Sequence, residues 1–135
     1  MITDLNKIIF YADNKGNLRD KKVRKYLIVA DMIIVGDKEG PLAPSAVPIG
    51  LIGVGDNPVT FDEVIATLYG ARMEYMHAIN QARGTYDGKY PLVDENDVAE
   101  IVSNESKWDG KRWHEILSDE KLPVTPCSSW KEAFY

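Results

Sequence analysis

The segment Ala30–Gly70 reads ADMIIVGDKEGPLAPSAVPIGLIGVGDNPVTFDEVIATLYG. It contains most of two apolar runs, 26–35 and 49–54, which are rich in branched residues and predict two buried strands. The stretch 36–48 between them is full of Gly, Pro and acidic residues, which predicts a long loop. Ordered loops of this length are uncommon in compact domains and are usually functional, so we expect a site there.

The second apolar run is followed by a segment that predicts an amphipathic helix. Pro58 suits the first helical turn, where its missing N–H costs little, and Asn57 is then the natural N-cap. A capping box formed by Thr60 and Glu63 is the alternative start of the helix. Gly70 is a good C-terminal stop. Glycines within the second apolar run mark a bulge or a close approach of backbone.

The rest of the chain predicts shorter elements. Apolar residues at helical spacing predict a helix over 5–12 and another over 72–83. The segment 98–103 is compatible with a strand or with the start of a helix, and 113–117 predicts a short helix. The aromatic residues of the tail, 122–135, are expected to dock on the body of the protein.

These elements together predict an α/β fold, in which flanking helices cover a small, at least partly parallel sheet. The length of 135 residues suits a single domain over 1–135. If the two strands run parallel, the loop 36–48 and the turn 56–57 meet at the carboxyl ends of the strands, where open α/β sheets place ligands. If the strands run antiparallel, the two segments lie at opposite ends and cannot form one site.

Composition excludes several classes of function. The formal net charge of -5 argues against broad binding of nucleic acid or of anionic membranes. No apolar run approaches the roughly 20 residues that span a bilayer, and no signal peptide is visible. Cys127 is the only cysteine, so no intrachain disulfide is possible and a cytoplasmic location is expected.

Acidic residues and glycine in or beside the predicted loop are the first candidates for ligand binding: Asp31, Asp37, Glu39 and Gly40. Hard cations prefer carboxylate oxygens, so Asp37 and Glu39 are candidate ligands of a divalent cation that polarises a substrate oxygen. Ordinary turn chemistry with surface charge is the alternative interpretation. Asp31 interrupts an apolar run, and a buried carboxylate must be paired or hydrogen-bonded.

A second group of candidates surrounds the start of the predicted helix: Asp56, Asn57 and Asp62. Helix N-termini bind anions through free N–H groups and a partial positive charge. The two carboxylates are able to satisfy those donors themselves, which favours plain capping. The sequence has no nucleophile elbow, no P-loop and no dinucleotide fingerprint, so it leaves open whether the chain is an enzyme.

The motif GDKEGPLAP over 36–44, followed by VGDNPVTFDEVIATLYG over 54–70, resembles the DUF362 family, a domain of unknown function. Members carry a similar acidic Gly–Pro loop, then a strand, an NPV-type turn and a helix with an early aspartate. These features fall here on 39–41, on 57–59 and on Asp62. Because members are usually longer, the resemblance implies that this chain is their C-terminal portion.

Some DUF362 members also carry ferredoxin-like cysteine clusters. This chain has a single cysteine, so no iron–sulfur cluster is expected in it. The resemblance therefore implies architecture more than activity.

Two hypotheses of function follow. The first is a domain that binds a small ligand or a divalent cation at the acidic Gly/Pro loop. The second is a noncatalytic interaction or structural module, which completes a longer protein or a homo-oligomer. Its partner is then a missing N-terminal portion or a second copy of the chain.

Overall fold

A computed structural model describes residues 1–84, 88–94 and 96–134. Its helices and strands are α1 (Ile2–Tyr11), β1 (Ile28–Glu39), β2 (Ala43–Gly55), α2 (Pro58–Leu68) and α3 (His77–Arg83). The described chain also forms 3₁₀ turns at Met73–Tyr75, Trp113–Glu115, Ser118–Glu120 and Ser128–Ala133. Within the described residues, no helix has the length and apolar character needed to cross a membrane.

The sheet formed by the described residues is a two-stranded antiparallel hairpin, so the prediction of an at least partly parallel sheet is wrong. The strands pair from Ile28 opposite Gly55 to Glu39 opposite Ala43, and only the turn 40–42 connects them. A parallel crossover needs about a dozen residues or more, which this turn does not supply. The protein does combine helices with strands, in the coarser sense of the predicted class.

The prediction of a long loop over 36–48 is also wrong, because both strands continue through it. Pro44 and Pro48 lie within β2, opposite Lys38 and Ile34. Proline is tolerated in an edge strand when its missing N–H would face away from the neighbouring strand. The Lys38 N–H shows this orientation, since it donates to the Thr125 carbonyl oxygen at 2.8 Å instead of to β2.

Three glycines of β2 serve the two purposes that the sequence predicts. The pairing register shifts opposite Ile33, and Gly50 there has a φ of +77°, which identifies a β-bulge. Gly53 and Gly55 lie beneath the Phe61 ring of α2. A Cβ added at these glycines would stand 3.1 Å and 2.5 Å from ring atoms, so only glycine lets the helix approach this closely.

Helix α2 begins as the sequence predicts. The Asn57 side chain accepts hydrogen bonds from the N–H groups of Val59 at 2.9 Å and Thr60 at 3.4 Å. Pro58 occupies the first helical turn, and Gly70, with a φ of +83°, follows the last turn. The Asn57 N-cap is therefore confirmed over the alternative capping box.

Among the described residues, the core forms two apolar clusters that meet opposite ends of α2. Val59 belongs to the first cluster, together with Phe10, Tyr11, Ala82, Leu92 and Val93. Leu68 belongs to the second cluster, together with Trp108, Ile116 and Leu122. Helix α2 thus ties the N-terminal helix to the C-terminal part of the chain.

The remaining predictions have mixed outcomes. The predicted helix over 72–83 divides into a 3₁₀ turn and α3, while 98–103 forms neither a helix nor a named strand. The tail docks as expected through a bridge between Ala71 and Phe134, although Trp130 is exposed. Tyr135 lies outside the described residues.

Candidate functional site

The tip of the hairpin contacts the C-terminal tail, defined here as 122–134. The tail follows the outer edge of β1, where the Thr125 carbonyl oxygen accepts from Lys38 and the Thr125 N–H donates to Asp37 Oδ2 at 3.3 Å. Asp37 is buried, and its Oδ1 has no hydrogen-bond partner among the described residues. Its carboxylate therefore has one oxygen engaged by the tail and one oxygen buried without a described partner.

Glu39, two residues further along β1, is exposed and holds the next part of the tail. Its Oε1 accepts from the Ser128 N–H at 3.1 Å, and its Oε2 accepts from the Cys127 thiol at 3.2 Å. Hydrogen bonds from Cys127 and then from Ser128 lower the pKa of Glu39 from its ordinary value of 4.5. Both candidate metal ligands thus act as acceptors for the tail.

In the part of the chain that the structure describes, no group of three His, Cys, Asp or Glu side chains is placed to hold a metal ion. Asp37 and Glu39 contribute two carboxylates on one strand. A divalent cation at this position would need water or backbone oxygens for most of its ligands.

Asp31 and Gly40 make local contacts within the hairpin. Asp31 is exposed, and its Oδ1 accepts from the Ile33 N–H at 3.0 Å, beside the bulge. The Gly40 N–H donates to the Lys38 carbonyl oxygen at 2.9 Å within the turn. Each contact stabilises the shape of the hairpin.

The second group of candidates lies at the opposite end of the hairpin. Asp56 and Asn57 follow the last residue of β2, whereas Glu39 ends β1 at the tip. Strands of 12 and 13 residues separate the two ends by roughly 35–40 Å, at about 3.3 Å per residue. The strands run antiparallel, so Asp37, Glu39 and Gly40 near the tip do not form one site with the second group, whereas Asp31, opposite Ile52, lies nearer the base.

Asn57 makes hydrogen bonds that stabilise the fold, and Asp62 is partly desolvated by the protein atoms around it. Asn57 caps α2 and also donates through Nδ2 to the Leu92 carbonyl oxygen at 3.0 Å. Asp62 keeps an exposed surface, but desolvation by neighbouring protein atoms raises its pKa from the ordinary 3.8. These contacts connect α2 to the body.

One face of the hairpin, turned away from the helices, is exposed and mostly apolar; we name it the outward face. Its cross-strand pairs are Val29–Val54, Asp31–Ile52, Ile34–Pro48, Gly36–Ala46 and Lys38–Pro44. Ile34 is 67% exposed, and Leu42 at the tip is 96% exposed. This surface was not predicted, because the two apolar runs predicted strands buried on both faces.

A cavity of about 640 Å³ lies beside the base of β2. Its walls are 50–57 on one side and 99–105 on the other, and side chains of α2 together with Trp108 contribute to its lining. This is the size of a ligand site. None of the seven candidates except Asp56 and Asn57 lines this cavity.

Comparison with known proteins found no matching family model, no matching curated protein and no matching solved structure. The resemblance to DUF362 therefore stays a prediction.

Proposed function

We propose that this chain is a noncatalytic interaction module that pairs with a second copy of itself through the outward face of its hairpin. The observation that carries the proposal is the exposure of large apolar side chains on one continuous face. Val29 and Val54 are each 62% exposed, and they pair directly across the two strands. A soluble domain gains nothing from such a face unless something covers it.

The size of the face fits a modest interface. Two strands side by side cover a width of about 10 Å, so a 12-residue arm projects roughly 400 Å². Apolar patches of a few hundred Å² are typical of interaction sites. Two such faces together bury roughly 800 Å², less than stable specific interfaces do, which predicts a weak, transient dimer that dissociates on dilution.

The charges on the face favour a second copy as the partner. The outward face carries one acidic residue, Asp31, and one basic residue, Lys38, on either side of Ile34. In a face-to-face pair with a two-fold axis near Ile34, each Asp31 lies opposite Lys38 of the other copy. Leu42 of one copy then covers the valine pair at the base of the other. An isologous interface requires this kind of self-complementarity.

Sedimentation velocity over a hundredfold range of concentration tests the proposal. We expect a monomer–dimer equilibrium that Ile34→Lys abolishes, because the change buries a charge at the centre of the interface. Leu117→Lys is the matched control, since Leu117 is 59% exposed but lies outside the hairpin. A protein that stays monomeric at every concentration would contradict self-pairing. The outward face would then be assigned to contact with a segment of a longer protein.

The two charges allow a sharper test. Asp31→Lys alone is expected to weaken the dimer through repulsion from Lys38 of the other copy. Combining Asp31→Lys with Lys38→Asp should restore it, because the swap returns opposite charges to facing positions. Failure of the double variant to recover would contradict the two-fold arrangement.

A divalent cation held by Asp37 and Glu39 is the second candidate function, and the unpartnered Oδ1 of Asp37 favours it. Calorimetric titration with magnesium, manganese and calcium should then give heats that the Asp37→Asn, Glu39→Gln double variant lacks. Identical heats from the two proteins would end this candidate. A cytoplasmic location belongs to the proposal as well, and the single cysteine supports it.

A further inference from the structure

The base of β2 is an open sheet edge, in contrast to the tip of the hairpin. At the tip, the tail bonds to the outer edge of β1, and the prolines of β2 remove N–H donors from its own outer edge. The stretch 49–55 contains no proline, and no described hydrogen bond joins its backbone to any segment other than β1. An unprotected edge of this kind is a template for another strand.

The alternation of the ladder identifies the exposed backbone groups. Pro48 cannot donate to β1, so its pair with Ile34 belongs to the non-hydrogen-bonded type. Hydrogen-bonded and non-hydrogen-bonded pairs alternate along the ladder. Past the bulge, the pairs that contain the β2 residues Leu51, Gly53 and Gly55 are therefore also of the non-hydrogen-bonded type. Their N–H and C=O groups therefore point away from β1.

These groups point towards the cavity of about 640 Å³. Consecutive residues 50–57 line it, from both faces of the strand, so the cavity runs along the edge of β2, and Met32 shows that it also extends under the hairpin. The opposite wall, 99–105, is also consecutive, and Val102 in it is 90% exposed. Apolar side chains of α2 and Trp108 line the cavity between the two walls.

The charged residues in the described lining of the cavity are all acidic, while Lys107 lies over the Trp108 ring, 4.3 Å from its centroid. Asp56, Glu100 and Glu105 contribute to its lining, and all are exposed. No Lys, Arg or His is among the described lining residues. An occupant with cationic side chains is therefore favoured over an acidic one.

We propose that this cavity binds an extended, basic peptide segment of another protein by strand addition to β2. The peptide backbone pairs with the outward groups of Leu51, Gly53 and Gly55. Alternate apolar side chains enter the cavity towards Trp108, and Lys or Arg side chains lie at the acidic rim. This mode of recognition takes affinity from main-chain bonds and specificity from alternate side chains. The proposal does not rest on pairing through the outward face, although Ile52 and Val54 belong to both surfaces.

The test uses the full chain and a synthetic peptide of about seven residues in which lysine and valine alternate. We expect saturable binding, with slowed amide exchange of Leu51, Gly53 and Gly55. A peptide with glutamate in place of lysine, and one with a central proline, should bind at least about tenfold more weakly. Equal binding of all peptides, or protection confined to other residues, would overturn the proposal.

Charge reversal at the rim provides the matched variants. Glu100→Lys combined with Glu105→Lys should weaken the lysine–valine peptide by about tenfold or more. Asp20→Lys combined with Asp119→Lys makes the same change in net charge at exposed positions away from the cavity, and it should leave the affinity within about twofold. Equal losses of peptide affinity in both double variants would overturn the proposal that Glu100 and Glu105 recognise the lysine side chains. Protection of Gly53 that rises with protein concentration, without peptide, would also overturn it in favour of edge pairing between copies.

Discussion

The two ends of the hairpin belong to the same pair of strands but are held by different interactions. At the base, Gly53 and Gly55 lie directly beneath the Phe61 ring of α2. At the tip, Asp37 and Glu39 accept hydrogen bonds from the tail. Disrupting the apolar packing at the base requires the body of the protein to unfold. The few partly exposed hydrogen bonds at the tip can break in a local opening. We therefore expect the tip to open at lower free energy than the base.

The largest expected effect comes from weakening the body that supports the base. Glu63 is 2% exposed, and its Oε2 accepts from Arg83 Nη2 at 2.6 Å, which joins α2 to α3. The same carboxylate raises the pKa of Arg83. Glu63→Gln removes the carboxylate that bonds the guanidinium, although Asp97 still attracts it, and should lower the free energy of unfolding by about 3 kcal/mol. Chemical denaturation monitored by circular dichroism measures this change.

Glu74→Gln is the matched control for that variant. Glu74 pairs with Arg72 at 2.7 Å, but both side chains keep substantial exposure. Exposed pairs contribute little, so the control should leave the denaturation midpoint nearly unchanged. Equal shifts in the two variants would contradict a special role for the buried pair.

A smaller effect is expected from crowding the base of the hairpin directly. A Cβ at Gly55 would stand 2.5 Å from Phe61 Cδ2, so Gly55→Ala forces the ring or the strand to move. We expect a loss of about 1–3 kcal/mol in the free energy of unfolding. Gly84→Ala is the control, because a Cβ there meets only an ordinary contact at 3.5 Å. A neutral Gly55→Ala would show that the base is not tightly packed.

At the tip, the expected effect is local. Asp37→Ala removes the acceptor of the Thr125 N–H and should cost about 1 kcal/mol. Because the loss falls on the tail contact, amide exchange at Lys38 and Thr125 should accelerate more than exchange at Val29, which pairs with Val54 in the base. Asp37→Asn keeps an acceptor oxygen, so the Lys38 and Thr125 amides should retain most of their protection from exchange. Equal acceleration at both ends would contradict the separation of tip and base.

The same contrast explains which features the sequence predicted. The Asn57 cap and the Gly70 stop depend on neighbours within a few residues, and both were predicted correctly. A close approach of backbone was predicted for the glycines of β2, which include Gly53 and Gly55. Glycine within a strand usually marks a bulge or a close contact. The identity of Phe61 as the neighbour depends on packing and was not predicted.

Features that depend on distant partners were not predicted. The short turn 40–42 sets the strand direction. Pro44 and Pro48 favoured the prediction of a loop, although both lie within β2. Their tolerance depends on facing an open edge, which no local pattern reveals. The contact between Asp37 and Thr125 joins residues 88 positions apart. Asp37 and Glu39 were thus predicted as ligands, but in the structure both accept hydrogen bonds from the tail.

The smallest expected effect is the pH dependence of the tip. Hydrogen bonds from Cys127 and Ser128 lower the pKa of Glu39 below 4.5, so its ionised form is favoured in the folded protein. A lowered pKa gives stability that is present above the unfolded value and disappears as the pH falls through the folded value. Acidification below about pH 4.5 should therefore loosen the tail, seen as faster amide exchange at Ser128 after correction for the intrinsic rate. Glu39→Gln should remove this pH dependence, and a variant that retains it would assign the effect to another carboxylate, of which Asp37 is the nearest along the strand.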